Sequence, residues 1–139
     1  MDSQQESLFD KAMAKYQAGA DAIDLIQDFE SITESAPGQS AGWTCLAWLQ
    51  LLCDQPVPAL RSAKTAVKLN GQDPQARINL SLALLETKSK GVREHIDFVK
   101  RILLVVPDFQ DEIKTAIEDG LKRRPNWNSL EKVKQWLGF

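Results

Sequence analysis

Equivalent positions in this sequence recur at intervals of 34 residues, and in the second half of the third unit they come two residues late. The matched sets are Phe9, Trp43 and Arg77; Met13, Ala47 and Ser81; Tyr16, Gln50 and Leu84; Leu25 and Ala59; Phe29 and Ala63; Ile32 and Ala66; Pro37 and Gly71. The delayed positions are His95, Val99, Ile102 and Pro107. A period of this size is typical of a solenoid, in which each unit buries its apolar face only against neighbouring units.

Apolar residues within these stretches recur at spacings of three and four, as in an amphipathic helix. The spacing occurs in Ile23, Ile26, Phe29 and Ile32, in Leu60, Ala63 and Val67, and in Ile78, Leu82 and Leu85. Turn-forming residues separate the stretches at 19–21, 37–38, 54–58, 71–74 and 88–91. Asp73 followed by Pro74 predicts a helix start, because Asp caps free amides and Pro needs no N–H at the first helical position. The sequence therefore predicts an all-α fold.

The units resemble tetratricopeptide repeats (TPRs), whose pattern joins a Trp, a Leu, a small residue and an aromatic to a later Ala, Phe, Ala and Pro. The middle unit carries the pattern best, in Trp43, Leu46, Ala47, Ala59, Ala63 and Ala66. The third unit departs from it, since Arg77 replaces the Trp and His95 replaces an Ala. The resemblance implies a right-handed solenoid of antiparallel helix pairs in a single domain, with repeats at approximately 6–39, 40–73 and 74–107.

Two further helices are predicted after Pro107, over residues 108–122 and 129–137, with a hinge at 124–128. Apolar residues line one face of each, namely Ile113, Ile117 and Leu121 in the first and Leu130, Val133, Trp136 and Leu137 in the second. The last repeat of a solenoid needs a cover for its apolar face. Residues 108–137 are therefore predicted to form a C-terminal cap.

The resemblance also implies a binding surface, because the first helix of each tetratricopeptide repeat lines a concave wall. The wall positions that the register assigns include Asp10, Thr44, Trp48, Leu51, Gln75, Ile78 and Leu82, with Asp111, Lys114 and Glu118 from the helix after Pro107. Four of these, Trp48, Leu51, Ile78 and Leu82, are apolar and are called the apolar strip below. A large exposed strip of this kind usually marks an interaction site, so it is predicted to anchor an extended or helical segment of a partner protein.

Two other interpretations of the apolar strip stay open. Trp48 could be an ordinary core residue, since tryptophan is more often packed than exposed. The C-terminal helix, with Trp136, Leu137 and Phe139, could instead fold back onto the strip, as a plug or as part of a homodimer. The chain would then be a self-associating scaffold whose charged convex face is its working surface. The basic and Asn-rich clamp with which some family members hold chaperone tails is missing, because Asp10, Ala14, Cys45 and Gln75 occupy most of its positions.

Charge excludes some partners and suggests how others are oriented. The net charge is −2, with eight acids against two lysines in residues 1–37. A nucleic-acid partner is not expected, since such proteins neutralise phosphates with a basic surface. Basic residues cluster later in the chain, and Arg93, Lys100, Arg101, Arg123 and Arg124 are predicted to steer an acidic part of the partner. No membrane span and no signal peptide are expected, which predicts a cytoplasmic location.

No pattern in the sequence predicts catalysis, a metal site or a cofactor. Phosphate-binding loops, serine elbows and metal-binding helices are all missing. His95 is the single histidine and is interpreted as a partly buried packing residue. Cys45 and Cys53 lie on one predicted helix about 12 Å apart, too far for a disulfide. The chain is therefore predicted to be a non-catalytic adaptor, scaffold or assembly factor with no small-molecule substrate.

Overall fold

The computed structural model describes residues 7–139, and within that range the chain forms eight helices joined by short turns. The helices are α1 (Leu8–Gln17), α2 (Ala22–Ser35), α3 (Ser40–Leu52), α4 (Pro56–Leu69), α5 (Pro74–Glu86), α6 (Val92–Val105), α7 (Asp108–Arg123) and α8 (Asn128–Trp136). The predicted all-α class is confirmed. No helix in this range is long and apolar enough to cross a membrane.

Local chemistry explains where several helices begin. The Ser7 hydroxyl accepts a hydrogen bond from the Asp10 amide at 3.0 Å and so caps α1. Asp73 accepts from the Gln75 amide at 2.9 Å, and α5 begins at Pro74 as predicted. Gly91 precedes α6 with a φ of 102°, a left-handed conformation that glycine adopts without steric conflict.

The first six helices pack in chain order, each against the next, and α3 also packs against α5. The odd-numbered helices α1, α3 and α5 form one layer, and α2, α4 and α6 form the other. Ala59, Ala63 and Ala66 on α4 are completely buried, which lets α3 and α5 approach its backbone closely. The face of α1, α3 and α5 that is turned away from the other layer is called the inner face below.

The last two helices cover much of the inner face. α8 packs against α5, and α7 contacts α5, α6 and α8. Ile113 and Ile117 on α7 and Leu130 and Val133 on α8 are all at most 3% exposed. They share one core cluster with the apolar strip. The C-terminal segment therefore supplies apolar side chains to the main core of the protein.

Candidate functional site

The apolar strip is buried, which corrects the prediction of an exposed wall. Leu51, Ile78 and Leu82 are 0% exposed and Trp48 is 8% exposed. Their neighbours in the same core cluster include Trp127, Leu130, Val133 and Leu137 of the C-terminal segment. The physical reason is that this segment brings enough apolar surface to cover the strip within the same chain. The interpretation in which the C-terminal helix occupies the wall describes this part of the structure.

Trp127, which the sequence placed in the predicted hinge at 124–128, covers the apolar strip. Trp127 is 2% exposed, and its ring centre lies 5.5 Å from that of Trp48. Its indole N–H donates to the Glu86 carboxylate. Gly120 lets α7 approach, because a Cβ at that position would lie 2.7 Å from the Trp48 ring and 2.8 Å from Leu130. The signal for this contact in the sequence was Gly120 itself, because a glycine inside a helical pattern can have a packing reason.

A groove of about 840 Å³ remains open beside the covered strip. It lies between α1, α3 and α7 and is called the α1–α3–α7 groove. The residues that line it are Met13, Tyr16, Gln17, Phe29, Thr44, Cys45, Trp48, Leu49, Gln75, Asp111, Glu112, Thr115, Ala116, Asp119 and Arg123. Its floor is mainly apolar, and α7 contributes most of its polar edge. A concave, mostly apolar surface of this kind is suited to receive a ligand.

The predicted wall residues divide between the core, the groove and the open surface. Thr44, Trp48, Gln75 and Asp111 line the α1–α3–α7 groove. Leu51, Ile78 and Leu82 lie in the core instead. Asp10, Lys114 and Glu118 are exposed but are not among the lining residues. Sequence analysis missed Glu112, Thr115, Ala116 and Asp119, because the orientation of α7 depends on tertiary contacts that the repeat register does not contain.

Polar contacts fix one end of the groove. The Trp48 indole N–H donates to the Tyr16 hydroxyl at 2.9 Å, and the Tyr16 hydroxyl donates to the Asp119 carboxylate. Burial and the hydrogen bond to Asp119 raise the pKa of Tyr16 above its usual value of 10.0. Tyr16 therefore stays protonated at neutral pH and acts as a link between α3 and α7.

The thiol in the groove is not activated. Cys45 lies 3.8 Å from the Met13 sulfur, and burial raises its pKa to about 12, with a further contribution from the negative charge of Asp73. A thiolate is the reactive form of cysteine, so Cys45 is a poor nucleophile at neutral pH. Cys45 and Cys53 are both free thiols, as their spacing predicted.

Arg123 is committed to contacts within the chain, which corrects its predicted steering role. Its guanidinium donates to the Tyr16 carbonyl at 2.7 Å, to the Ala20 carbonyl at 3.0 Å and to the Asp119 carboxylate at 3.1 Å. The two carbonyls lie at the end of α1 and in the turn after it, where the α-helical hydrogen-bond pattern stops. Arg123 therefore caps α1 from the opposite end of the chain.

Arg124 makes the equivalent contacts to α3, so its predicted steering role is also corrected. Its guanidinium donates to the Leu51 carbonyl at 2.7 Å and lies 3.3 Å from Asp54 and 3.4 Å from Glu86. It also lies over the Trp127 ring, 4.7 Å from the ring centre. Two successive arginines thus attach the end of α7 to the ends of α1 and α3.

The other predicted steering residues lie on α6, away from the groove. Arg93 and Lys100 line a smaller cavity of about 480 Å³ together with Val92, Ile96, Asp97 and Trp136. Arg101 is exposed, with its guanidinium 6.0 Å from the Phe98 ring centre. A steering role for these three residues remains a prediction.

His95 is partly buried beside Arg77, whose Nη1 donates to His95 Nδ1 at 3.0 Å. Burial and the positive charge of Arg77 lower the pKa of His95, while Glu94 acts in the opposite direction. A neutral imidazole that already accepts a hydrogen bond from arginine is a packing group. This placement matches the interpretation made from the sequence.

The sequence of the chain matches no family model and no curated protein. Its fold is similar to the solved structure of SycD, a type III secretion translocator chaperone from Yersinia enterocolitica, in an alternative dimer form. The TM-score is 0.65 over 95% of this chain and 92% of SycD, at 15% sequence identity. The chain has a TPR-like helical-repeat fold. This confirms the fold class that the 34-residue period predicted.

Proposed function

We propose that this protein is a non-catalytic adaptor or assembly factor that holds a segment of a partner protein in the α1–α3–α7 groove. The observation that carries the proposal is an open groove of about 840 Å³ with an apolar floor and a polar edge. Sites for ligands are concave and mostly apolar, with a few polar groups that fix orientation. The likeness to SycD, which is named as a chaperone, supports this class of function.

The proposal includes the tetratricopeptide assignment of three repeats at approximately 6–39, 40–73 and 74–107, with residues 108–137 as the cap. It also includes the absence of enzymatic activity and a cytoplasmic location. Non-catalytic function is supported by the chemistry of the groove, because Tyr16 and Cys45 both have raised pKa values and hold their protons at neutral pH. Neither group is suited to proton transfer there.

A groove-blocking substitution tests this function. Thr115 is exposed on α7 and lines the groove, whereas the adjacent Lys114 is exposed and does not. Thr115→Trp should fill the groove, and Lys114→Trp places the same side chain on another face of the helix. Both variants should keep the helical circular dichroism and melting temperature of the wild type.

The readout is affinity capture from a lysate of the source cells. We expect a protein that the wild type and Lys114→Trp retain and that Thr115→Trp loses. Capture of the same proteins by all three would show that the groove is not the binding site. Attention would then move to the charged outer surface.

A self-associating scaffold is the second candidate function. Two observations favour it: the C-terminal helix covers the apolar strip, and Leu104 and Val105 at the end of α6 are 79% and 75% exposed. Light scattering over a range of concentrations tests it. A dimer in the wild type that Leu104→Lys converts to a monomer would support self-association, and a monomer at all concentrations would exclude it.

A further inference from the structure

We propose that the α1–α3–α7 groove takes a cationic amphipathic segment of a partner protein, with lysine or arginine at the groove edge and an apolar side chain on its floor. This inference rests on the proposed function and specifies the chemistry of the partner. The structural basis is the distribution of charge around the groove, taken together with its apolar floor.

The α7 edge of the groove is negative. Asp111 and Glu112 are both exposed and both line the groove. Neither forms an ion pair with any residue of the described range 7–139. A cationic ligand would be attracted by these two carboxylates, and an acidic ligand would be repelled by them.

The positive charge in the lining is already compensated. Arg123 is the one cationic side chain that lines the groove within residues 7–139, and its guanidinium donates to Asp119 and to two backbone carbonyls. Its side chain is only 19% exposed. Asp119 and Arg123 balance each other, so Asp111 and Glu112 set the net charge of the lining.

Carboxylates on the α1 and α5 sides of the groove add further negative charge. Asp10 is exposed on α1 and lies one turn before Met13, so the two side chains share a helix face. Asp73, at the start of α5, is close enough to Cys45 for its charge to contribute to the raised pKa of that thiol. Carboxylates thus lie near the groove on three helices, α1, α5 and α7.

The apolar floor of the groove is the reason to expect apolar side chains in the ligand as well. Met13, Trp48, Leu49 and Phe29 all contribute to the lining. Burial of an apolar side chain on such a floor supplies binding free energy, while the charged edge supplies orientation and selects against acidic segments. A simple polycation would use only the edge, so it should bind more weakly than an amphipathic cation.

The test compares two synthetic peptides with the same leucines, of about 14 residues or four helical turns each. One carries lysine at its polar positions and the other carries glutamate. Fluorescein-labelled peptides are titrated with full-length protein, and anisotropy gives the Kd at low and at high salt. We expect the lysine peptide to bind about tenfold or more tightly than the glutamate peptide, and to weaken as salt rises.

Charge-matched variants locate the site. Asp111→Lys with Glu112→Lys should weaken the lysine peptide by about tenfold or more and strengthen the glutamate peptide. Glu34→Lys with Glu131→Lys changes the net charge equally at exposed positions outside the lining, on α2 and α8. That control should leave the Kd of the lysine peptide within about threefold of the wild type, since exposed charges beyond about 10 Å are screened.

Several outcomes would overturn the inference. These are equal or tighter binding of the glutamate peptide, an equal loss in the control variant, or a dimer of this chain that the Asp111 and Glu112 substitutions dissociate. If neither peptide binds, while capture from lysate still depends on Thr115, the cationic ligand is wrong and the proposed function stands. If neither peptide binds and Thr115→Trp also leaves capture unchanged, both the cationic ligand and the proposed binding function of the groove are wrong.

Discussion

The guanidinium carbon of Arg123 lies 3.9 Å from the centre of the Tyr16 ring, and the same side chain donates to the Tyr16 carbonyl at 2.7 Å. The two residues are 107 positions apart in the sequence. Arg123 lies in the last turn of α7 and Tyr16 lies near the end of α1, so the contact links the first helix to the seventh. It also forms one end of the α1–α3–α7 groove.

Arg123→Ala should therefore destabilise the fold. Loss of the charged donor removes the hydrogen bond to the Ala20 carbonyl, and it leaves the Tyr16 carbonyl with only the Gly19 amide and Asp119 with only the Tyr16 hydroxyl. This should lower the free energy of unfolding by about 2 kcal/mol. Lys122→Ala is the matched control, because Lys122 is exposed on the same turn. Urea denaturation followed by circular dichroism measures both. Equal effects of the two substitutions would contradict the role assigned to Arg123.

Gly120→Ala should also destabilise, although alanine favours helices. Replacing glycine gains about 1 kcal/mol of helix propensity. A Cβ would lie 2.7 Å from Trp48, whose ring is held by Trp127 and Tyr16, and overpacking of this kind typically costs about 1–3 kcal/mol. We expect a net loss of about 1 kcal/mol.

Gly38→Ala is the control for this experiment, because no atom lies within 4 Å of a Cβ at that position. Its melting temperature should match that of the wild type within error. A more stable Gly120→Ala protein would mean that α7 can move away from Trp48.

Leu82→Ala should lower the free energy of unfolding, because Leu82 is completely buried. Truncation of a buried leucine leaves a cavity and should cost about 2–5 kcal/mol. Leu104 is 79% exposed, so Leu104→Ala should change the free energy of unfolding by less than about 0.5 kcal/mol. Chemical denaturation distinguishes the two. If Leu82→Ala changed the free energy of unfolding only slightly, the result would favour the sequence-based interpretation in which the apolar strip is exposed.

Alkaline pH should weaken the fold through Cys45. Its folded-state pKa is about 12 against a reference value of 9.0, so between these values the folded state holds a proton that the unfolded state has lost. Stability from this thiol is fully present below pH 9.0 and is lost as pH rises toward 12. The urea midpoint should fall between about pH 8 and about pH 10.

Cys45→Ala provides the comparison, since it removes the titrating group. Its urea midpoint should fall less over the same pH range than that of the wild type. A wild type and variant with parallel pH profiles would show that Cys45 is not protonated in the way proposed. Tyr16 contributes in the same direction at higher pH, because its pKa is also raised.

The helical framework followed from local signals in the sequence. The helix start at Pro74, the delayed helix at Val92–Val105 and the turn before α8 were all visible, because caps, turns and apolar spacing are encoded within a few residues. These signals depend on near neighbours in the chain. They therefore needed no knowledge of the tertiary structure.

The path of α7 and α8 was not predictable in the same way. The apolar strip could be covered by a partner, by a second copy or by the C-terminal helix, and all three satisfy the same hydrophobic pattern. Arg123 and Arg124 looked like surface charges, because the carbonyls that they bind belong to residues 73 to 107 positions away. Only the folded chain brings these groups together.

The contact between α7 and α1 has a consequence for how many repeats this architecture can contain. In an open solenoid each repeat touches only its neighbours, so repeats can be added or lost with little effect on the others. Here an additional helix pair in the middle would move α1 out of reach of Arg123. A longer array would therefore lose the contact between α7 and α1. Because this contact joins distant parts of the chain, its formation should make folding slower and more cooperative than in an open array.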